Sequence, residues 1–296
     1  SGSTVFANGG FMKILFDCDN TFGVSGCDVD DGLELLYLLG MDAEIVGITA
    51  TYGNSDLDTV FSNTRLMIEE LGLDHIPLLR GGACEGDYES EASDFLAEMA
   101  DRCRGEIFLL ATGSLTNVYG AFLKDRSFFE NLAGVCLMGG ITQTLYINGK
   151  IMNELNFSCD SSAALGVIRE VKNLSIVTGN NCLKAFFSHE GHRQRLGGSK
   201  TGIARYIDEK TSYWYDCMKK YDIEGFYNWD VVSAAHIMKR ELFEDSFCVI
   251  NPDEDSMKSG RLLGNGAPVM VNLPIIRDSQ VFEDEVYRAY LNVDMN

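Results

Sequence analysis

Proline, histidine and positive charge are all scarce in this chain. Only 4 of the 296 residues are Pro, and no Pro-rich or low-complexity stretch divides them, which argues against small domains strung on extended linkers. Lys and Arg number 24 against 44 Asp and Glu, a formal charge of −20. A surface of that sign repels phosphate, so neither nucleic acid nor an anionic membrane is expected as a partner. No apolar run reaches the roughly 18–20 residues that span a bilayer. The nine Cys include no C-x-x-C pair, and several sit in apolar runs such as Gly134–Met138. Buried reduced thiols in a cytoplasmic protein are therefore expected, not a disulfide framework or a zinc site. The four His, at 75, 189, 192 and 236, are too dispersed to form a cluster. Ser1–Gly10 is small and polar and lacks the basic and apolar regions of a signal peptide. Residues 1–11 are expected to be an added leader ahead of a native start at Met12, with 12–296 as one domain.

What is present is an alternation of short apolar runs with longer helical patterns. Lys13–Asp17, Glu44–Thr49, His75–Leu79, Glu106–Ala111, Gly134–Met138 and Leu174–Thr178 read as buried strands. Amphipathic helices are expected near Gly32–Gly40, at about Asp58–Leu71 and at Val231–Met238. Continuous apolar strands alternating with helices predict an α/β fold: an open, mostly parallel, Rossmann-like sheet with helices on both faces. Polar residues recur just after the strands, in Asp17 and Asp19, Thr51–Asn54, Gly113–Asn117, Gly139–Gly140 and Asn180–Asn181. The carboxyl ends of parallel strands face one crevice, so these groups are expected to converge there.

The densest of these groups is acidic. Asp17, Asp19, Asp28, Asp30 and Asp31 fall within fifteen residues, between a buried strand and a helix whose apolar face starts at Leu33. Carboxylates crowded at a strand end must take up protons or share a cation. Oxygen-only donors favour a hard ion, calcium or magnesium, and the spacing does not fit an EF-hand.

These residues resemble the opening motif D-x-D-P-G-x-D-D of the inosine–uridine-preferring nucleoside hydrolases, with Asp17 and Asp19 as one pair and Asp30-Asp31 as the other. Two departures stand out. Asn20-Thr21 replaces Pro-Gly, and the interval from Asp19 to Asp30 is seven residues longer, through an insertion at about Phe22–Asp28. The likeness continues over about 210 residues, through Gly47–Asn54, Gly113–Asn117, Met138-Gly139-Gly140, Asn148, Asn153–Asn156 with Asp160, and Asn228-Trp229-Asp230.

The resemblance implies hydrolysis of the N-glycosidic bond of a ribonucleoside, with a Ca2+ ion held by Asp19, Asp31, Asp230 and the Thr116 carbonyl. Asp19 is then the expected base for the attacking water, and Asp30, Asn54, Met138, Asn148, Glu154, Asn156 and Trp229 are the expected substrate contacts. Asp30 and Asp230 each retain an alternative reading as a helix cap. Relatives of broad specificity carry His before the metal-binding Asp; Trp229 stands there in this chain, which predicts a purine-leaning enzyme. Relatives are homodimers or homotetramers, and an oligomer is expected. Two rivals remain open. The run Ile14–Thr21 also fits the start of haloacid-dehalogenase-type phosphatases, with Asp17 as nucleophile and Mg2+ as the metal, and a non-catalytic nucleoside-binding protein is the second.

Overall fold

The computed structural model describes residues 11–199 and 202–295, so the expected leader lies outside it apart from Phe11. At its centre is an eight-stranded sheet: β1 (Lys13–Cys18), β2 (Glu44–Ala50), β3 (Leu78–Arg80), β4 (Ile107–Ala111), β5 (Gly134–Met138), β6 (Ser175–Val177), β7 (Phe247–Ile250) and β8 (Val269–Asn272). Their spatial order is β7-β8-β6-β5-β4-β1-β2-β3. Every pairing is parallel except β7 with β8. Phe16 lies level with Ile48 on one side and Leu110 on the other, which places the ends of β1, β2 and β4 side by side.

Side-chain alternation along the central strands divides the core in two. Ile14, Phe16 and Cys18 of β1 join Leu110, Cys136 and Met138 in one buried cluster. Leu15 joins Leu109, Ala111, Val135 and Leu137 in the other. Helices α1 (Asp30–Gly40), α6 (Gly202–Met218), α7 (Trp229–Met238) and α8 (Ser279–Leu291) contribute to the first cluster. Helices α3 (Glu91–Arg102), α4 (Thr116–Lys124) and α5 (Ser161–Glu170) contribute to the second. The remaining long helix, α2 (Leu57–Glu70), follows β2 and is capped by Asp56, whose carboxylate accepts the Thr59 N–H. The expected strands and helices are all present, with ends displaced by a few residues.

The antiparallel pair β7–β8 was not foreseen. Its outer residues Phe247, Val249 and Met270 are exposed, while Ile250 and Val271 are buried. No helix among the described residues is long and apolar enough to cross a membrane. All nine Cys are free thiols.

Candidate active site

Five crossovers bring polar residues to the carboxyl ends of β1, β2, β4 and β5, as parallel topology requires. There a cavity of about 530 Å3 opens. Its walls include Asp19, Asp28, Asp30, Asn54, Thr112 and Asp230. Asp19, just past β1, is buried, and Asp31 and Asp230 come to it from the first turns of α1 and α7. One carboxylate oxygen from each of the three lies within 4.8 Å of the other two. Asp31 Oδ1 accepts the Asp19 N–H at 3.2 Å, and Asp19 Oδ2 accepts the Asn54 N–H at 2.7 Å.

The surroundings make these acids expensive to ionise. Burial lifts Asp19 to about 7 and Asp30 to about 6, from an ordinary carboxylate value near 3.8. Asp31 and Asp230 are pushed well up, by burial first and then by neighbouring negative charge, that of Asp19 and Asp30 on Asp31 and that of Asp30 and Asp31 on Asp230. Ion pairs lie elsewhere, as in Lys210–Glu70 at 2.9 Å and Lys239–Glu285 at 2.6 Å. Asp19 Oδ1 is buried with no hydrogen-bond partner. Three convergent carboxylates and an orphaned oxygen fit a hard cation, and the acidic cluster can bind a metal.

Most of the expected residues line this one cavity: Asp19, Asp30, Asn54, Met138, Glu154, Asn156, Trp229 and Asp230. Asp31 is not part of that wall and joins Asp19 and Asp230 through the carboxylate triad. Neither Asp30 nor Asp230 caps its helix. The cap positions are Val29 and Asn228, and Asp30 Oδ2 accepts the Asp230 N–H at 3.3 Å instead. Glu154 accepts the N–H groups of Gly140, Phe157 and Ser158. Asn156 donates to the carbonyls of Thr112 and Met138, which leaves its own oxygen as a free acceptor.

Two expectations need correction. Thr116 does not reach the cavity: it opens α4 behind it, and its hydroxyl donates to Asp160 at 2.7 Å. The Thr at the acids is Thr112, which directly follows β4, lines the cavity and brings its hydroxyl within 3.1 Å of Asp31 Oδ1. Asn148 is also outside the wall. It sits exposed in a left-handed turn (φ 49°), and its amide donates to the carbonyls of Tyr221 and Asp222. A two-residue turn between short strands turns this side chain toward the segment after α6 and away from the cavity.

Other wall residues had no local signal. Trp214 and Met218, one helical turn apart on α6, line the cavity with Tyr221. Trp229 leans on Tyr227, ring centroids 5.2 Å apart. Beneath the acids, Glu34 is fully buried and accepts the hydroxyls of Thr112 at 2.9 Å and Ser233 at 3.2 Å. Its position three residues after Asp31 on the same helix face was the available clue. Among the described residues, no His lines the cavity. His192 is paired with Asp208 at 2.7 Å, and His189 stacks on Tyr215 at 4.3 Å.

The phosphatase reading fails on accessibility. Asp17 is 0% exposed, is absent from the cavity wall, and is tied to the Thr49 hydroxyl at 2.6 Å and the Asn117 amide at 2.9 Å. A nucleophile has to meet its substrate, and this carboxylate cannot.

Comparison with known proteins agrees with the geometry. The solved plant nucleoside hydrolase PpNRh1 has the same fold, with a TM-score of 0.80, 19% identity, and coverage of 94% of this chain and 99% of that one. A purine-preferring ribonucleoside hydrolase from Gardnerella vaginalis gives a TM-score of 0.81 at 18% identity, covering 96% of this chain and 100% of that one. Uridine nucleosidase 1 of Arabidopsis thaliana is 25% identical over 281 residues, 85% of this chain and 81% of its own length. The family model described as inosine-uridine preferring nucleoside hydrolase matches residues 14–283. The chain therefore belongs to the inosine-uridine preferring nucleoside hydrolase family and is an enzyme that hydrolyses ribonucleosides.

Proposed function

We propose that the enzyme splits the N-glycosidic bond by water attack at C1′, with Asp19 as general base and a purine as the favoured leaving base. The observation carrying this reading is the convergence of Asp19, Asp31 and Asp230 beside a cavity with a wall of Trp214, Met218, Tyr221 and Trp229.

Asp19, Asp31 and Asp230 would hold the cation, and the backbone oxygen expected from Thr116 is assigned to Thr112 instead. Calcium is the proposed ion, because every donor is an oxygen. When bound, such a cation lowers the pKa of a water and orients it. Asp19, whose side chain lines the cavity beside the other two acids, is the residue assigned to take that water's proton. Bond cleavage leaves positive charge on the sugar, and the surrounding carboxylates stabilise it. Asp30, Asn54, Glu154 and the free Asn156 oxygen are assigned to the ribose hydroxyls. A buried polar set of that kind rejects a deoxy sugar strongly, because its groups would be left unpaired. Trp229 offers the base an aromatic face, and the larger purine face profits more from stacking.

Residues 12–296 are read as one catalytic domain, supported by the family match over 14–283. Nine free thiols support a reducing, cytoplasmic location. A homodimer or homotetramer remains the proposed assembly. Base release from inosine, guanosine, adenosine, uridine and cytidine by metal-loaded enzyme is the direct test. Purines should exceed pyrimidines in kcat/KM by at least about tenfold, roughly 1.4 kcal/mol of barrier. Equal or better turnover of uridine would remove the purine assignment.

A further inference from the structure

The insertion between the two aspartate pairs is a built part of the cavity. Gly26, Cys27 and Asp28 all line it. The loop is held from two sides by elements distant in sequence. On one side, Asn63 of α2 donates its amide to the carbonyls of Asn20 at 3.3 Å and Phe22 at 3.1 Å. On the other side stands α6. The Tyr213 hydroxyl donates to the Cys27 carbonyl at 2.7 Å, and the Phe22 ring lies 5.8 Å from that of Tyr206. Gly23 is in the left-handed region (φ 85°), and a Cβ there would meet the Lys210 stem at 2.7 Å. Such a residue count of anchors is what a fixed wall needs and a loose surface loop does not.

Within this wall Asp28 is already oriented. Its Oδ1 accepts the N–H groups of Val29 at 2.7 Å and Asp30 at 3.2 Å, and its backbone carbonyl accepts the Thr21 hydroxyl at 2.8 Å. The side chain lines the cavity beside Asp30, with whose carboxyl it interacts. Asp28 is outside the carboxylate triad.

We infer that the insertion is a substrate-positioning arm: Asp28 accepts a hydrogen bond from one ribose hydroxyl, and Tyr213, acting through the Cys27 carbonyl, is the positioning residue that holds the arm. This rests on the nucleoside reading of the cavity. It also gives α6 a double role, since Trp214 on the cavity side follows Tyr213 directly. One helix thereby sets the spacing between the sugar-facing carboxylate and the base-facing indole.

The test is a deoxy-substrate cycle on metal-loaded enzyme. Asp28→Asn should raise KM for the ribonucleoside by about tenfold, the size of one hydrogen bond to a charged group. That loss should shrink to about onefold for only one of the 2′-, 3′- and 5′-deoxy analogues, which names the hydroxyl. Tyr213→Phe should raise KM in the same direction, with kcat within about twofold. The dissociation constant for calcium, read by titration calorimetry, should stay at the wild-type value in both variants. Equal losses on all analogues, an unchanged KM, or a weakened calcium affinity in either variant would overturn the inference. If wild-type enzyme releases no base from any nucleoside, the functional reading falls first and this inference falls with it. If wild type is active and the variants match it, only the inference falls.

Discussion

At the scale of single residues, the site is defined by what each carboxylate touches. Asp19, Asp31 and Asp230 converge on one another, Asp30 receives an amide N–H from α7, and Asp17 is consumed by Thr49 and Asn117. Five carboxylates, four of them between Asp17 and Asp31 and the fifth from α7, thus have distinct tasks, set by their partners and not by their chemistry. Removing the proposed base should be severe. Asp19→Ala is expected to lower kcat by about two to four orders of magnitude, measured as base release at saturating inosine. A residual rate within a fewfold of wild type would remove Asp19 from that role. In the same variant and in wild type, fluoroberyllate should leave Asp17 unmodified, because that carboxylate is sealed. Trp229 carries the specificity prediction. Trp229→Ala should cost purine substrates about 1–3 kcal/mol in kcat/KM, the value of one stacking contact, and pyrimidines less. An unchanged purine-to-pyrimidine ratio would mean that another group reads the base.

At the scale of elements, α1 is the pivot. Its first turn supplies Asp30 and Asp31, its buried Glu34 bridges β4 and α7 through Thr112 and Ser233, and its last residue, Gly40, packs on α8. A Cβ at Gly40 would lie 1.8 Å from the Ala289 carbonyl oxygen, a backbone atom that cannot swing aside. Gly40→Ala should therefore destabilise the protein by about 1–3 kcal/mol, with a lower midpoint in thermal melts. It should leave KM near wild type at temperatures where the variant is folded, since the residue lies at the helix end opposite the acids. An unshifted melting temperature would contradict this packing. α6 was the least legible element, because its cavity residues Trp214 and Met218 look from sequence like ordinary core positions at helical spacing.

At the scale of the whole molecule, stability and metal occupancy are linked through the buried acids. Asp17 and Asp19 stand at about 7 and Asp30 at about 6, all raised from 3.8 by burial. A raised carboxyl favours the protonated folded state. In metal-free protein its contribution is full below about pH 4 and disappears as pH rises through 6 to 7. A cation reverses the penalty by binding the ionised forms. Protein stripped with a chelator should thus melt lower at pH 8 than at pH 5.5. Added calcium should raise the melting temperature more at pH 8 than at pH 5.5. Equal calcium shifts at the two pH values, or no effect of the chelator, would disprove the linkage. Calcium near one equivalent per chain is expected by elemental analysis of protein never exposed to chelator. At the sheet edge, exposed Phe247, Val249 and Met270 form an apolar strip of the kind that oligomers cover. Light scattering should return a mass of two or four chains; a monomer would remove the proposed assembly.

The alternation of apolar strands with helices determined the parallel sheet, because burial on both faces leaves that mark on every central strand. Local motifs likewise pointed to the acids of the cavity, since Asp19 follows one strand, Asp30 and Asp31 open the next helix and Asp230 stands in the first turn of another. Tertiary structure alone decided which groups meet. It put Thr112, at the carboxyl end of β4, in the cavity wall beside Asp31, and tied the Thr116 hydroxyl to Asp160. It turned Asn148 toward the Tyr221 segment and brought in Trp214, Met218 and Glu34. It also closed the Asp28 loop against α6, a contact between residues 186 positions apart. Sequence records the period of burial and the chemistry of each side chain. The direction in which a buried side chain finds its partner is set only when distant elements pack, because an unpaired polar group must be satisfied by whatever that packing brings within reach.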